Sequence, residues 1–252
     1  MMTLREYRLL LVDRFLRWRY RQQDQSTGIN YSDGSAIIMF HHVGISKPKG
    51  VSASCFSTID DFNSLIDTLL KSKQIVSLGT LVREIKSGVV PKNHIVLTFD
   101  DVPYDFFSNA APILHKKQIP YTLYVATSLI DTDGYLTTDQ LRQLSRNPLC
   151  TVGSHTVNHV KVREKGVDFI SEIKDSKTIL SGLTGKEVEH FAFPYGTPFA
   201  VSSKQVNQMK ESQLYTSAVS TIPGYINKKS VQNMYFLPRI HSELFIKEFL
   251  NK

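Results

Sequence analysis

"IVLTFDDVPYDF", residues 95–106, decides how this chain folds. Ile95 to Phe99 form a run of apolar and β-favouring residues, the pattern of a strand buried on both faces. The run ends in two adjacent carboxylates, Asp100 and Asp101, and Pro103 prevents the strand from continuing far beyond them. Successive strand residues point to opposite faces, so both acids can serve one site only if the strand breaks at the doublet. The bland alternative is a pair of helix-capping acids, but Asp105 is better placed to cap a helix over 105–118.

Working outward, short apolar runs alternate with longer amphipathic stretches. Strands are expected at 36–40, 75–78, 94–100, 121–127, 150–155, 191–194 and 215–220. Helices are expected near 59–72, 80–87, 105–118, 138–146, 166–183 and 202–212, with Thr58 or Asp60, Thr80, Asp105, Thr137 and Ser202 as caps. Such alternation indicates an α/β protein with a mostly parallel sheet, and about seven units suit a barrel slightly smaller than eight-fold.

The chain has 252 residues, 41% of them hydrophobic and 21% charged, as expected of a globular protein that buries a core without disulfide help. Cys55 and Cys150 are isolated and read as small buried apolar residues. The net charge of +7 favours anionic neighbours. Much of it gathers in residues 4–21, where Arg5, Arg8, Arg14, Arg17, Arg19 and Arg21 flank an apolar stripe of Leu4, Tyr7, Leu11, Phe15 and Trp18. That stretch suits peripheral contact with anionic lipid, or packing on the body of the protein or a partner. Its aliphatic run is too short for a signal-peptide core or a membrane span, so a cytoplasmic location is expected, with peripheral membrane association through residues 4–21 as the alternative to packing on the protein body or a partner. A basic helix and linker over 1–30 followed by a barrel over 31–252 is the expected organisation. With no interleaved basic-aromatic motif and no helix-turn-helix pattern, nucleic acid is not expected as a partner.

In α/β barrels, function gathers at the C-terminal ends of the strands. Here those ends read Phe40-His41-His42, Asp100-Asp101, Ser154-His155 and Pro194-Tyr195-Gly196, with Arg239 and His241 on a late apolar stretch. In "GSHTVNHV", residues 153–160, His155 and His159 are four apart and share a face if the segment enters a helical turn. Paired imidazoles are a weak signal alone. A carboxylate from the doublet supplies a third ligand of the kind that suits Zn²⁺ or another borderline divalent ion.

"TFDD", "SHTVNH" and "FAFPYG", in this order, resemble the motifs of the polysaccharide deacetylases, the NodB-homology or carbohydrate esterase family 4 group. The resemblance runs from about Ile37 to Phe245 and is strongest toward the biofilm poly-N-acetylglucosamine deacetylase branch, because "FHHV" matches that branch's first-strand histidine. It implies a deformed (β/α)7-type barrel, with an N-terminal helical extension here, and metal-dependent N-deacetylation of an amino sugar in a glycan or glycan precursor. Carried over by position, Asp101, His155 and His159 hold one divalent ion, Zn²⁺ first with Co, Ni or Fe as alternatives. Asp100 is the general base and the backbone N–H of Tyr195 stabilises the oxyanion. His41 is the general acid, with His241 its competitor. Pro194, Gly196, His42 and His241 are expected around the substrate. The family's arginine is missing before Pro194, and Arg239 is the candidate to orient the base instead. Val102 stands where the family has glycine, which implies a different strand exit, since β-branched residues avoid left-handed backbone. A deformylase or other amidohydrolase, or a catalytically silent glycan-binding barrel, are the competing readings.

Overall fold

The structure, a computed structural model, describes residues 34–250; the basic stretch 4–21 and nearly all of the linker lie outside the described residues. The elements run β1 (Ala36–Phe40), β2 (His42–Gly44), β3 (Phe56–Thr58), α1 (Ile59–Ser72), β4 (Gln74–Ile75), α2 (Leu78–Lys86), β5 (His94–Asp100), α3 (Ala111–Lys116) and β6 (Tyr121–Val125). They continue with α4 (Thr138–Arg146), β7 (Cys150–Ser154), α5 (Phe169–Thr184), β8 (His190–Ala192), α6 (Ser203–Ser212), β9 (Ser217–Val219), α7 (Lys228–Gln232), β10 (Ile240–His241) and α8 (Ser242–Leu250).

The main sheet is ordered β10-β1-β5-β6-β7-β8-β9, with β4 also beside β5, and every ladder is parallel. A parallel bridge from Val219 to Leu237 ties β9 to the segment leading into β10, so the sheet curls back toward its first edge. This is the expected α/β architecture, a curled parallel sheet wrapped by helices. β2 and β3 form a separate parallel pair above the end of β1.

The pleat of β5 explains how the sheet is buried. Ile95, Leu97 and Phe99 pack into the main core with Phe62 and Leu65 of α1 and Leu114 of α3. Val96 faces the other way, into a smaller cluster with Leu78, Leu81 and Ile85 of α2. Thr98 and Asp100 share the parity of Val96, so the last carboxylate of the strand faces the inner side. Phe99 stacks on Phe40 at 5.1 Å and meets Phe62 at 6.1 Å. Burying such a ring stabilises by roughly 1.5–3 kcal/mol, which holds the register of β1 against β5.

Thr58 and Thr137 cap α1 and α4 as expected, and at the start of α6 the Ser202 N–H and hydroxyl both donate to Gln205 Oε1. Ser77, not Thr80, caps α2: it has extended backbone and its hydroxyl accepts the Thr80 N–H. Asp105 makes no side-chain cap bond, and the expected 105–118 helix opens with a π-helical turn over Phe106–Ala110 before α3.

Candidate active site

The acidic doublet is split by backbone geometry. Asp101 and Val102 both have positive φ, 61° and 52°, and the Val102 N–H donates back to the Asp100 carbonyl at 2.6 Å. This three-residue turn ends strand alternation and separates the two carboxylates. The expectation that Val102 would impose another exit is corrected: valine adopts the left-handed conformation itself. That costs about 1–2 kcal/mol, and the fully buried isopropyl group in the main core offsets it.

Asp100 meets Arg239 inside the barrel. Nη1 and Nη2 donate to Oδ1 and Oδ2, each at 2.6 Å, and both side chains are buried. Two further guanidinium donors reach Thr98 Oγ1 at 3.1 Å and the Ser220 carbonyl at 2.8 Å, while the guanidinium carbon lies 5.5 Å from the centre of the Tyr124 ring. Burial pushes the Asp100 carboxyl up, but the charge and hydrogen bonds of Arg239, with the charges of His155 and His41, hold it below the usual carboxylate range.

Asp101, His155 and His159 form a compact group, each offering a ligand atom within 4.8 Å of the others. Asp101 Oδ1 is 3.1 Å from His159 Nε2 and 3.5 Å from His155 Nε2. This buried oxygen receives no well-aligned hydrogen bond from either ring. His155 follows β7, and its Nδ1 lies 2.7 Å from the Ala192 carbonyl. Donation there fixes the proton on Nδ1 and leaves the Nε2 lone pair facing Asp101. Burial lowers the His155 pKa to about 4 despite both aspartates. Asp101 is held low: burial raises it, and the close approach of His159 with the charges of His155 and His41 outweighs burial. His159 does not reach the cluster along a helix; it closes a turn that begins at Thr156, and both residues have left-handed backbone, φ 50° and 68°.

His41 lies between β1 and β2. Burial lowers its pKa, but hydrogen bonding and charge from Cys55, with the charges of Asp100 and Asp101, raise it to about 9. Its Nδ1 is buried without a hydrogen-bond partner. The reading of both cysteines as buried is corrected for Cys55, which is half-buried beside His41; Cys150 is buried, and both are free thiols. His42 pairs with Asp105 instead, Nδ1 to Oδ2 at 2.7 Å, which explains why Asp105 caps no helix. His241 lies across from Met39 on β10. The groups whose charges act on the two acids are Arg239, His155, His159 and His41.

Pro194 is buried and Tyr195 is half-exposed, its ring 4.9 Å from that of His159 and 5.2 Å from Lys161 Nζ. Tyr195 and Gly196 have left-handed backbone, φ 60° and 47°. Thr221 holds the turn, its hydroxyl donating to the Tyr195 carbonyl at 2.7 Å and its N–H to the Gly196 carbonyl at 3.2 Å. A Cβ at position 196 would lie 2.4 Å from Thr221 N, so glycine is required there. Sequence reasoning missed the Asp105–His42 pair, the Cys55–His41 contact and the part of Glu172 in the His159 turn. The one available signal for Glu172 was an acid in the first turn of the helix after the paired histidines.

The polysaccharide deacetylase family profile matches residues 87–216. YxkH of Bacillus subtilis is 24% identical over 147 residues, 58% of this chain and 50% of that protein, so this match spans half the relative's length. The poly-beta-1,6-N-acetyl-D-glucosamine N-deacetylase of Staphylococcus epidermidis is 23% identical over 215 residues, 75% of this chain and 73% of that protein. In fold, the chain is similar to the Streptococcus pyogenes deacetylase PplD, solved in complex with acetate, with a TM-score of 0.73 at 23% identity over 86% of this chain and 98% of that one. With the profile covering half of its length, and the doublet and paired histidines inside the matched span, this chain belongs to the polysaccharide deacetylase family.

Proposed function

We propose that this protein is a metal-dependent hydrolase that removes N-acetyl groups from the amino sugars of a glycan or glycan precursor. The observation that carries the reading is the Asp101–His155–His159 group standing beside an Asp100 clamped by Arg239. The donor set fits a divalent ion: one ionised carboxylate and two imidazoles, with an orphaned buried oxygen facing two Nε2 atoms. The partial exposure of His159 and Asp101 leaves one side open. A divalent cation held there, Zn²⁺ first among the candidates, would supply Lewis acidity, lowering the pKa of water and polarising an acyl oxygen.

The remaining roles fall to the chain. Asp100 accepts a proton from the attacking water, kept ionised and fixed by Arg239. The Tyr195 backbone N–H, on a turn that only Gly196 permits, donates to the oxyanion as the carbonyl becomes tetrahedral. His41, whose protonated form the neighbouring Asp100 and Asp101 carboxylates favour, gives its proton to the departing amine. Acetate and a free amino sugar result. The half-exposed Tyr195, beside His159, offers a face for sugar stacking at this site. The S. epidermidis relative's name makes a β-1,6-linked N-acetylglucosamine polymer the first substrate to test.

Acetate release from N-acetylglucosamine oligomers, with divalent metal and with chelator, tests the reading. Metal-dependent release that Asp100→Asn lowers by at least about 100-fold, as loss of a general base does, is expected. Tight metal binding without acetate from any N-acetylated sugar would overturn it, and formate from an N-formyl analogue would then name a deformylase.

A further inference from the structure

The turn that carries His159 is held from outside by one side chain. Glu172, in the first turn of α5, accepts the Val157 N–H at 2.8 Å and the Asn158 N–H at 3.0 Å on Oε2. Its other oxygen accepts the Asn158 side-chain amide at 2.6 Å. The carbonyls of the same turn are pinned from the opposite side. Thr127 N–H donates to the Thr156 carbonyl at 3.2 Å, and Ser128 N–H donates to the Val157 carbonyl at 2.9 Å. On either side of the gripped peptide groups the chain passes through left-handed backbone, at Thr156 and again at His159, each a strained conformation for a residue with a Cβ. Charge-assisted bonds to a carboxylate are among the stronger hydrogen bonds, so Glu172 offsets that strain. The helix N-terminus also favours its negative charge.

The two histidines therefore depend on different supports. His155 is anchored by β7, by its own N–H to the Val125 carbonyl at 3.0 Å, and by Nδ1 on Ala192. His159 is anchored by the turn. We infer that Glu172 is a positioning residue for the metal centre, acting through His159: it holds the turn that places the His159 ring against Asp101 and Tyr195. This rests on the metal-centre reading proposed above.

The test is titration of the purified protein with Zn²⁺ and with Co²⁺, following affinity and the Co²⁺ absorption spectrum. The proteins compared are wild type, Glu172→Gln, His159→Ala and the double variant. Gln keeps the shape of Glu172 but lacks the charge and one acceptor. Loss of such an outer support costs about 10–100-fold in metal affinity, and that loss is expected for Glu172→Gln. The Co²⁺ spectrum should shift toward that of His159→Ala, and Glu172→Gln should add little in the His159→Ala background, since coupled residues are non-additive. Glu172→Asp, which keeps the charge, should recover part of the affinity. Unchanged affinity and spectrum in a folded Glu172→Gln, or full additivity with His159→Ala, would overturn the inference. Failure of the wild-type protein to bind either metal would overturn the metal-centre reading instead, and the inference with it.

Discussion

Arg239 grips Asp100 with two hydrogen bonds of 2.6 Å each, and neither side chain is exposed. The two residues are 139 positions apart, and Arg239 lies outside the span that the family profile matches. A planar fork meets both oxygens at once, which a lysine ammonium cannot do. Arg239→Lys should lower kcat for acetate release by roughly 10-fold or more, with KM within about 3-fold, because Asp100, the proposed base, loses its orientation. Arg239→Ala should destabilise by about 3–5 kcal/mol in urea unfolding, since a buried carboxylate is left without its partner.

Gly196 tests the turn that carries the Tyr195 N–H. Alanine there meets both positive φ and the Thr221 backbone nitrogen. Gly196→Ala should cost about 1–3 kcal/mol and lower kcat by at least about 10-fold through displacement of the Tyr195 N–H, the proposed oxyanion donor. Gly166 has φ 90° with nothing near its missing Cβ, so Gly166→Ala should cost only about 1 kcal/mol of backbone strain and leave kcat intact. Equal effects of the two changes on kcat would argue against the assignment.

Val102 should show an inverted order of substitutions. At an ordinary buried position Ala is more stable than Gly, because it keeps more apolar surface and restricts the unfolded chain. At φ 52° the Cβ itself carries the strain, so Val102→Gly should be more stable than Val102→Ala by about 1 kcal/mol in thermal or urea unfolding. The ordinary order would mean that the strand exit is not left-handed in solution.

His190 should make the protein acid-sensitive. Burial lowers its pKa to about 4, aided by the charges of Lys86 and Lys177, and its Nδ1 lies 2.9 Å from Ser217 Oγ. Between pH 6.5 and 4 the unfolded chain binds a proton there that the folded chain refuses. Stability is therefore full above pH 6.5 and falls toward pH 4, by at most about 1.4 kcal/mol per pH unit for this group. His155 acts in the same direction. In urea unfolding across that range, His190→Gln should flatten the slope; an unchanged slope would show that His190 does not carry this linkage.

Local chemistry explains what was readable. Strand–helix alternation is a short-range periodicity, and it led to the parallel sheet and to the rim where Asp100, Asp101, His155 and Tyr195 gather. The spacing of His155 and His159 was also readable, but a helical turn was the wrong local geometry; the ring of His159 arrives through left-handed backbone. Propensity misjudged Val102, because burial in the main core outweighs the conformational cost. It misassigned Asp105, whose carboxylate finds an imidazole instead of a helix end.

By itself, then, the sequence determined the alternation of elements, the strand that delivers the acids and the residue types at its end, since each depends on near neighbours in the chain. Only the tertiary structure decided which groups meet. It set Arg239 on Asp100, Glu172 under the His159 turn, Cys55 against His41 and the Ala192 carbonyl on His155. Arg239 and Asp100 are 139 positions apart and His155 and Ala192 are 37 apart, brought together by burial of the shared core, while Glu172 and Cys55 reach across nearby turns whose path the fold sets.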